Sequence, residues 1–288
     1  MSFVNALDVA RSPAFNLDTQ PERWQAGPSF DALDVRPGRV VLIGAPPAAG
    51  KTTFALQLMT NILERNTKLR CVVGNVETAP ATLIEKLLAR FAAVPLDAVM
   101  DRTMLDDERA RVEAAIETHA DVLRRMAFLE PPFTMSNLRD AMVTFEARLA
   151  VVDYAQRFTL DDGKDARLKL DALMSHVRIL ANAGAGVVLI SSVGRQKSAN
   201  GSSTYKGLSM ASFRGSAELE FGADSAYILH NTPQGIASLE CVKQRFGSLR
   251  DIPLRFDGPH QRFDAGDALD GFDTAPGSLV PASRKGAS

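Results

Sequence analysis

The feature that most constrains the fold of this sequence is the stretch "RVVLIGAPPAAGKTTFALQLM", where a β-rich run, a glycine-containing loop and a helix-period segment follow one another. We interpret Gly44 to Thr52 as a phosphate-binding P-loop of the form G-x-x-x-x-G-K-[S/T]. Gly44 and Gly50 are expected to let the backbone curl, so that its N–H groups face phosphate oxygens at the N-terminus of the helix. The residues predicted to bind ATP are Gly44, Ala45, Pro46, Pro47, Ala48, Ala49, Gly50, Lys51, Thr52 and Thr53.

A P-loop of this kind also needs a metal ion and a positioned water. We expect Lys51 to reach the β- and γ-phosphates and the Thr52 hydroxyl to ligate Mg²⁺. Asp153 ends the apolar run "LAVVD", where an acid would hold the water shell of the metal. Glu77 follows the run "CVVGN", and carboxylates just beyond parallel strands lie at the ligand-binding edge of such sheets. The sequence thus predicts ATP and Mg²⁺ as ligands. For Glu77, a solvated loop residue is the alternative.

Short apolar runs alternate with helix-period segments along most of the chain. The runs are "RVVLIG", "RCVVGN", "LAVVD", "GVVLIS" and "SAYIL", and the segments between them include "DDERARVEAAIETHADVLRRM". The runs are continuously apolar, as in parallel strands that are buried on both faces. This pattern predicts an α/β fold with a mostly parallel, doubly wound sheet. The runs "IASLECVKQ" and "DIPLRF" predict a C-terminal β-hairpin that closes the sheet.

Length and composition are those of an ordinary globular protein. The 288 residues carry a formal net charge of -1, so no global basicity indicates a nucleic-acid partner. We predict an N-terminal arm or linker over residues 1–36, an ATPase domain over 37–264 and a disordered tail over 265–288. No signal peptide or membrane-spanning run is found, and the two cysteines lie in strand-like runs. We therefore expect a cytoplasmic protein with reduced cysteines and no membrane contact.

The stretch "SLECVKQRFGSLRD" predicts a strand that ends in two cations. Residues two apart on a strand share a face, so Lys243 and Arg245 are expected side by side, on the face of Leu239 and Cys241, before a turn at Gly247. From the residues alone, two interpretations remain open. The cations could act on a ligand, or they could lie on a solvated edge strand and deter edge pairing.

Together and in this order, the motifs resemble the ATPase domain of bacterial replicative DNA helicases, the DnaB type of the RecA-like fold. The matching stretches are "GAPPAAGKTT", "NVET", "VVDYAQ", "LISSVGR", "SFRGSAELEFGADSAYIL" and "VKQRFG". The resemblance covers about residues 26–264. The combination of "DYAQ", "FRGSAELEFGAD" and "KQRFG" is much more selective than the P-loop, which is generic. The resemblance implies a RecA-like P-loop NTPase fold.

The resemblance also implies roles for single residues. Glu77 resembles the catalytic base, and Lys243 and Arg245 resemble the pair that such helicases place in the ATP site of the next subunit. An arginine finger of this kind adds about 10³–10⁵ in rate. The implied protein is an ATP-hydrolysing helicase or translocase that acts on single-stranded DNA in replication. It would assemble as a homo-oligomer, a hexameric ring, in which the N-terminal arm docks on the adjacent subunit.

The chain departs from the family pattern at three places. Ser192 stands where the helicases carry a glutamine that is thought to sense the γ-phosphate and relay to DNA, so that relay is in question. Gly215 stands where the family usually has an acidic residue. Because about 36 residues precede the P-loop domain, we expect the N-terminal primase-contacting domain of the family to be absent.

The stretch from Gly194 to Gly215, "GRQKSANGSSTYKGLSMASFRG", contains cations and no acidic residue. In a RecA-like ring this segment lies toward the central channel, where cations can follow phosphates without reading bases. Only Tyr205 could stack a base, so we expect weak sequence preference. An ordinary solvated loop is the alternative. The residues predicted to bind DNA are Arg195, Lys197, Lys206 and Arg214.

Two other functions remain open on the sequence. One is a RecA- or KaiC-like ATPase of recombination or regulation that does not unwind duplex DNA. The other is an accessory protein of a replication machine in which nucleotide binding is a structural switch. The presence of Glu77, Lys243 and Arg245 favours turnover of ATP over binding alone.

Overall fold

The computed structural model describes residues 4–12, 18–159, 166–194, 196–197, 203–204, 208–213, 219 and 221–266. Strands are separated by one or more helices through the first two thirds of the chain, and strands follow one another at the end. The helices are α1 (Ala6–Ala10), α2 (Lys51–Arg65), α3 (Pro80–Ala92), α4 (Leu96–Asp101), α5 (Asp106–Thr118), α6 (Ala120–Arg124), α7 (Met135–Thr144) and α8 (Ala166–Asn182). The strands are β1 (Val40–Ala45), β2 (Cys71–Asn75), β3 (Met126–Phe128), β4 (Leu149–Asp153), β5 (Gly186–Ser192), β6 (Gln196–Lys197), β7 (Ser203–Thr204), β8 (Ser225–Asn231), β9 (Ile236–Gln244), β10 (Ile252–Asp257) and β11 (Arg262–Ala265).

In the described part of the chain, nine strands form one sheet in the order β11-β10-β9-β8-β1-β5-β4-β2-β3. The six strands from β8 to β3 are parallel, and β9, β10 and β11 add antiparallel neighbours at the other edge. The predicted α/β class, parallel sheet and C-terminal hairpin are therefore confirmed. Two short strands, β3 and β11, extend the sheet beyond the prediction.

The sheet is buried between two helical layers. On one face, α2 and α3 pack through residues such as Phe54, Leu58 and Leu87, and on the other, α7 and α8 pack through residues such as Leu138 and Val177. Every residue of β1, β2 and β4 is buried, which explains why these runs are continuously apolar. Parallel strands held in this way align their carboxyl ends along one edge, which we call the carboxyl edge.

The structure changes two of the expected boundaries. The segment predicted as one helix over residues 106–126 is divided into α5 and α6 at His119, whose ring stacks on Phe91 at a centroid distance of 3.8 Å. Part of the predicted N-terminal arm belongs to the domain, because Trp24, Phe30 and Leu33 are buried in the core. The predicted disordered tail lies outside the described residues from 267 onwards.

No helix within the described ranges is long and apolar enough to cross a membrane.

Candidate nucleotide site

The predicted P-loop connects β1 to α2 at the carboxyl edge of the sheet. Two of its residues have left-handed backbone conformations: Ala48, with φ of 61°, and Gly50, with φ of 88°. Gly50 is also the N-cap of α2, and no side chain caps the helix there. The N–H groups of the first turn therefore remain available, and with the helix dipole they make a site for an anion such as phosphate.

The role predicted for Gly44 is wrong. Counting back from Gly50 puts Ala45 at the first position of the consensus, and Gly44 lies inside β1 as a buried strand residue. A Cβ atom at Gly44 would come within 2.4 Å of Phe213 Cε1 and 2.8 Å of Val193 Cγ1. Glycine is needed here for side-chain packing, whereas the curl of the loop comes from Ala48 and Gly50. The spacing in the sequence could have shown this.

Thr52 and Asp153 meet as the P-loop interpretation requires. Asp153 ends β4, is only 3% exposed, and accepts a hydrogen bond of 2.6 Å from Thr52 Oγ1 through its Oδ2. Burial raises the pKa of Asp153, and the nearby charge of Glu77 adds to this, while the Thr52 bond and the charge of Lys51 lower it. A hydroxyl beside a buried carboxylate is a suitable donor set for Mg²⁺, which prefers oxygen ligands.

Asn75 is not among the predicted site residues, yet it connects the two carboxylates of the site. Its Nδ2 donates to Asp153 Oδ2 at 2.8 Å, and its Oδ1 accepts from the backbone N–H groups of Glu77 at 3.0 Å and Thr78 at 2.7 Å. Asn75 is buried at the end of β2, directly beside Asp153 in the sheet register, whereas Glu77 is exposed. Asn75 belongs to the matching stretch "NVET", but its role could not be predicted from the sequence, because that role depends on a strand pairing.

Ser192 ends β5 beside the start of the P-loop, since it pairs with Ala45 in the sheet register. Its neighbour Ser191 is fully buried, and Ser191 Oγ accepts a hydrogen bond of 2.7 Å from Gln156 Nε2. Gln156 belongs to the "DYAQ" stretch after β4. The structure therefore has a glutamine amide at the same edge as Ser192, although it comes from a different segment from the one that the resemblance indicates.

The C-terminal strands support the P-loop helix from the side. Thr53 Oγ1 donates to Gln261 Oε1 at 2.7 Å, and the side-chain amide of Gln57 makes two hydrogen bonds, of 2.6 and 2.7 Å, with the backbone of Phe263. Beside Ala48 lies an open pocket of about 800 Å³. Its other lining residues are Asn231, Thr232, Pro233, Gln234, Gly235, Arg255, Phe256, Asp257, Gly258, Pro259, Arg262 and Asp264.

Lys243 and Arg245 lie near each other, but not on one regular strand face as predicted. A bulge shifts the pairing of β8 and β9, since Ala226 pairs with Lys243 while Tyr227 pairs with Cys241. Strand β9 then ends before Arg245. Lys243 Nζ donates to the Ala223 carbonyl at 2.8 Å.

Arg245 is held by a buried carboxylate. Its guanidinium donates to Asp224 Oδ1 at 3.1 Å, and its backbone N–H donates to the Asp224 carbonyl at 2.8 Å. Asp224 is 2% exposed and also accepts from Arg178 at 2.6 Å and from the Val40 backbone N–H at 2.9 Å. Val40 begins β1 and Ala45 ends it, five steps of about 3.3 Å, or about 17 Å, apart. The predicted finger therefore lies at the opposite edge, the amino edge, from the P-loop of its own chain.

Most of the predicted DNA contacts, Arg195, Lys206 and Arg214, lie outside the described residues, as does Gly215. Lys197 lies in β6, which pairs with β7 through the register Lys197 to Ser203. The two ends of this segment are held together by backbone contacts. The Gly194 N–H donates to the Ser212 carbonyl at 2.7 Å, and Val193 forms a β-bridge with Phe213.

The family profile of the "DnaB-like helicase C terminal domain" matches residues 32–265 of the chain. The "Replicative DNA helicase DnaB" of Leifsonia xyli is 23% identical over 246 residues, which cover 80% of this chain and 52% of that protein. The protein of the same description from Treponema pallidum is 25% identical over 231 residues, which cover 78% and 51%. The chain therefore spans about half the length of the curated relatives it matches.

Two solved structures show the same fold. A structure described as an "ATPase Domain" aligns with a TM-score of 0.71 at 18% identity and covers 83% of this chain and 91% of that one. A structure described as a "DnaB-Like Replicative Helicase And Its Interactions With Primase" aligns with a TM-score of 0.72 at 16% identity, covering 86% and 65%. The expected RecA-like fold is thus confirmed, and the motif resemblance agrees with the family profile.

Proposed function

We propose that this chain, which belongs to the DnaB-like helicase C-terminal domain family, is an ATP-hydrolysing motor that moves on single-stranded DNA as a ring of identical subunits. The observation that carries the proposal is the hydrogen-bonded group of Thr52, Asp153 and Asn75 beside the P-loop, with Glu77 next to it. Hydrolysis of ATP needs a phosphate cradle, a metal site and a base. The P-loop supplies the first, Thr52 and Asp153 supply the second, and Glu77 supplies the third.

Each side chain then has a distinct task. Lys51 stabilises charge on the β- and γ-phosphates, and Thr52 and Asp153 would hold Mg²⁺, which when bound neutralises phosphate charge. The charge of the exposed Glu77 helps to raise the pKa of the buried Asp153 carboxyl, so the two groups lie near each other. Glu77 orients the attacking water and accepts its proton.

The proposed ring follows from the distance between the two edges of the sheet. Lys243 and Arg245 lie at the amino edge, too far from their own P-loop to contact its phosphates. The amino edge of one subunit facing the carboxyl edge of the next would bring the two together. Stabilisation of the γ-phosphate charge by such a finger adds about 10³–10⁵ in rate.

Exposed apolar side chains in α1 and just before it support contact between subunits. Val4, Leu7 and Val9 are 73%, 53% and 46% exposed, respectively. An open pocket of about 440 Å³ lies between α3, α4 and α5 and has apolar side chains on its walls, among them Ile84 and Val112. Following the family resemblance, we propose that the N-terminal arm docks on the adjacent subunit, and that the ring is a hexamer.

Single-stranded DNA is proposed to pass along the segment from 194 to 215. Its cations would follow the phosphates, while the backbone contacts at Ser212 and Phe213 join the segment to the core. Neutralising Arg195, Lys197 and Lys206 together is expected to weaken binding of single-stranded DNA and to reduce its salt dependence, with basal ATPase retained. Unchanged affinity and salt slope would exclude this segment from the DNA path.

The test of the proposal is ATPase activity with and without single-stranded DNA, measured alongside sedimentation of the protein with ATP and Mg²⁺. We expect a ring-sized species and stimulation by DNA. Stimulation without displacement of a duplex strand would favour a RecA- or KaiC-like ATPase. ATP binding without turnover, in a protein that stays monomeric, would favour an accessory protein and overturn the proposal.

A further inference from the structure

The side-chain amide of Asn75 has both of its ends in use inside the candidate site. Asn75 as a whole residue is 7% exposed. Its amide nitrogen donates to Asp153, and its amide oxygen accepts hydrogen bonds from two backbone N–H groups. Its register partner in the sheet is Asp153 itself. One rigid group of three atoms therefore joins the carboxylate at the end of β4 to the segment that carries Glu77.

We propose that Asn75 is a positioning residue for hydrolysis, which sets the place of Glu77 relative to Asp153. The proposal rests on the function proposed above, because it takes Glu77 as the base and Asp153 as the metal-supporting acid. Asn75 would touch neither the nucleotide nor the water. It would act through the two carboxylates.

The accepting end of Asn75 fixes the segment after β2. An Asn oxygen that accepts from the N–H groups two and three residues ahead forms an Asx-turn, which holds those residues in one conformation. Here the N–H groups are those of Glu77 and Thr78. The Glu77 side chain is exposed, so its placement depends on this turn rather than on packing. Positioning within about 1 Å matters, since a misplacement of that size can cost ~10² in rate.

The donating end of Asn75 fixes the other partner. Asp153 Oδ2 accepts from both Asn75 Nδ2 and Thr52 Oγ1, so the orientation of the carboxylate is set by two neutral donors. An amide is suited to this double task, because it has a donor and an acceptor in one plane. An aspartate at position 75 could keep the turn but would have no donor for Asp153.

Three variants separate these functions. Asn75→Ala removes both the amide donor and the amide acceptor and should lower kcat about 10- to 100-fold. The KM for ATP should stay within about threefold of the wild-type value, since the phosphate cradle is unchanged. Asn75→Ser retains a hydroxyl that can accept and donate, and should recover part of kcat. Asn75→Asp should keep the turn but not the activity. Val76→Ala, a change in the same segment without these bonds, should keep wild-type kcat.

Amide hydrogen exchange supplies a readout besides activity. The Glu77 and Thr78 amides should exchange slowly in the wild type and in Asn75→Asp, and faster in Asn75→Ala. Circular dichroism of each variant checks that the chain folds. If Asn75→Ala shows wild-type kcat and wild-type exchange at these two amides, the proposal is wrong.

The inference and the proposed function can fail separately. If the wild type hydrolyses ATP, Glu77→Gln does not, and Asn75→Ala equals the wild type, only the inference fails. If the wild type does not hydrolyse ATP, the proposed function fails and the role of Asn75 in hydrolysis fails with it. A rise in the KM for ATP as large as the fall in kcat for Asn75→Ala would also overturn the inference, because such a rise would indicate a damaged nucleotide site.

Discussion

The two edges of the sheet each contain one buried aspartate, and their partners differ in charge. At the carboxyl edge, Asp153 is 3% exposed and its hydrogen bonds come from the neutral groups of Thr52 and Asn75. At the amino edge, Asp224 is 2% exposed and accepts from the guanidinium groups of Arg178 and Arg245. Among the described residues, the first carboxylate has no full counter-charge in hydrogen-bond contact, whereas the second already has two.

This difference indicates what each edge is built to receive. A buried carboxylate with neutral partners is costly until a cation arrives, which suits a metal site. A carboxylate with two arginines leaves a net positive charge, part of which is accessible, because the Arg245 side chain is 45% exposed. Such an edge suits an anion. We therefore propose that one chain presents a cation site and an anion site on opposite edges of the sheet, beyond the two ends of β1, a strand about 17 Å long.

The largest effect is expected from Lys51→Ala, which disables the nucleotide site at the carboxyl edge. Removing the ammonium takes a point charge away from the β- and γ-phosphates, so hydrolysis should be abolished and ATP binding sharply weakened. Equilibrium binding of a fluorescent ATP analogue and a phosphate-release assay measure the two effects. Normal turnover by this variant would show that the P-loop is not the nucleotide site.

The next largest effect is expected from Arg245→Ala, which removes a guanidinium from the amino edge and leaves nucleotide binding intact. Arg245→Ala should bind nucleotide nearly as the wild type does, yet lose about 10³-fold or more in hydrolysis. Glu77→Gln should also bind and fail to hydrolyse, but with an intact finger. Mixing the two inactive variants should restore part of the activity, because some interfaces then join an intact Glu77 to an intact Arg245.

The control for that mixture is each variant alone at the same total concentration, with turnover followed on dilution. Wild-type turnover should fall as the ring dissociates. A dilute monomer that hydrolyses ATP at full rate, with Arg245→Ala no slower than the wild type, would mean that both edges act independently and that the ring proposal is wrong.

A smaller effect on folding sharpens the contrast between the two aspartates. Asp224→Asn leaves Arg178 and Arg245 without their counter-charge and should destabilise the fold by roughly 2–4 kcal/mol, since breaking a buried ion pair is costly. Urea denaturation measures it. Arg139→Gln is the matched control, because Arg139 pairs with Asp140 on an exposed surface, where a change of less than about 1 kcal/mol is expected. Equal effects would contradict the comparison.

The smallest effect concerns pH. Burial raises the pKa of Asp153 in the folded chain, so the folded state binds a proton more tightly than the unfolded state. Without Mg²⁺ or nucleotide, Asp153 should therefore increase the free energy of unfolding as the pH falls from neutral through its raised folded-state pKa. The increase is complete below the ordinary pKa of an aspartate in the unfolded chain. Asp153→Asn should lack that gain and have at least wild-type stability at pH 7. A less stable Asp153→Asn at pH 7 would contradict the assignment of Asp153 as an unneutralised charge.

Much of the fold could be predicted because its central strands are buried on both faces and so have continuous apolar runs. The strand β3 was missed because its three residues follow a helix-period segment without any break in the sequence. The division between α5 and α6 was also missed, since it occurs where His119 stacks on Phe91 from a distant helix. Local patterns do not contain such tertiary contacts.

The candidate site likewise contains residues that could be predicted from the sequence and residues that could not. Lys51, Thr52 and Asp153 belong to motifs with a fixed chemistry, so their positions could be predicted. Asn75 and Asp224 could not, because their partners are brought close by strand pairing and by packing of α8. The bulge before Arg245 was likewise invisible in an alternating sequence, as an extra residue changes the pairing without changing the composition.

The contact between Gly44 and Phe213 limits which sequences can encode this domain. The Phe213 ring fills the space where a side chain of residue 44 would lie, so the two positions divide a single volume. A larger residue at 44 is compatible with the fold only if the residue at 213 becomes smaller and Val193, whose Cγ1 would lie 2.8 Å from the new Cβ atom, also shifts. A change at position 44 alone forces the strand or the ring to move. Substitutions at the two positions should therefore occur in pairs. In a library that varies both positions, the folded members should be those in which the summed volume of the two side chains stays constant.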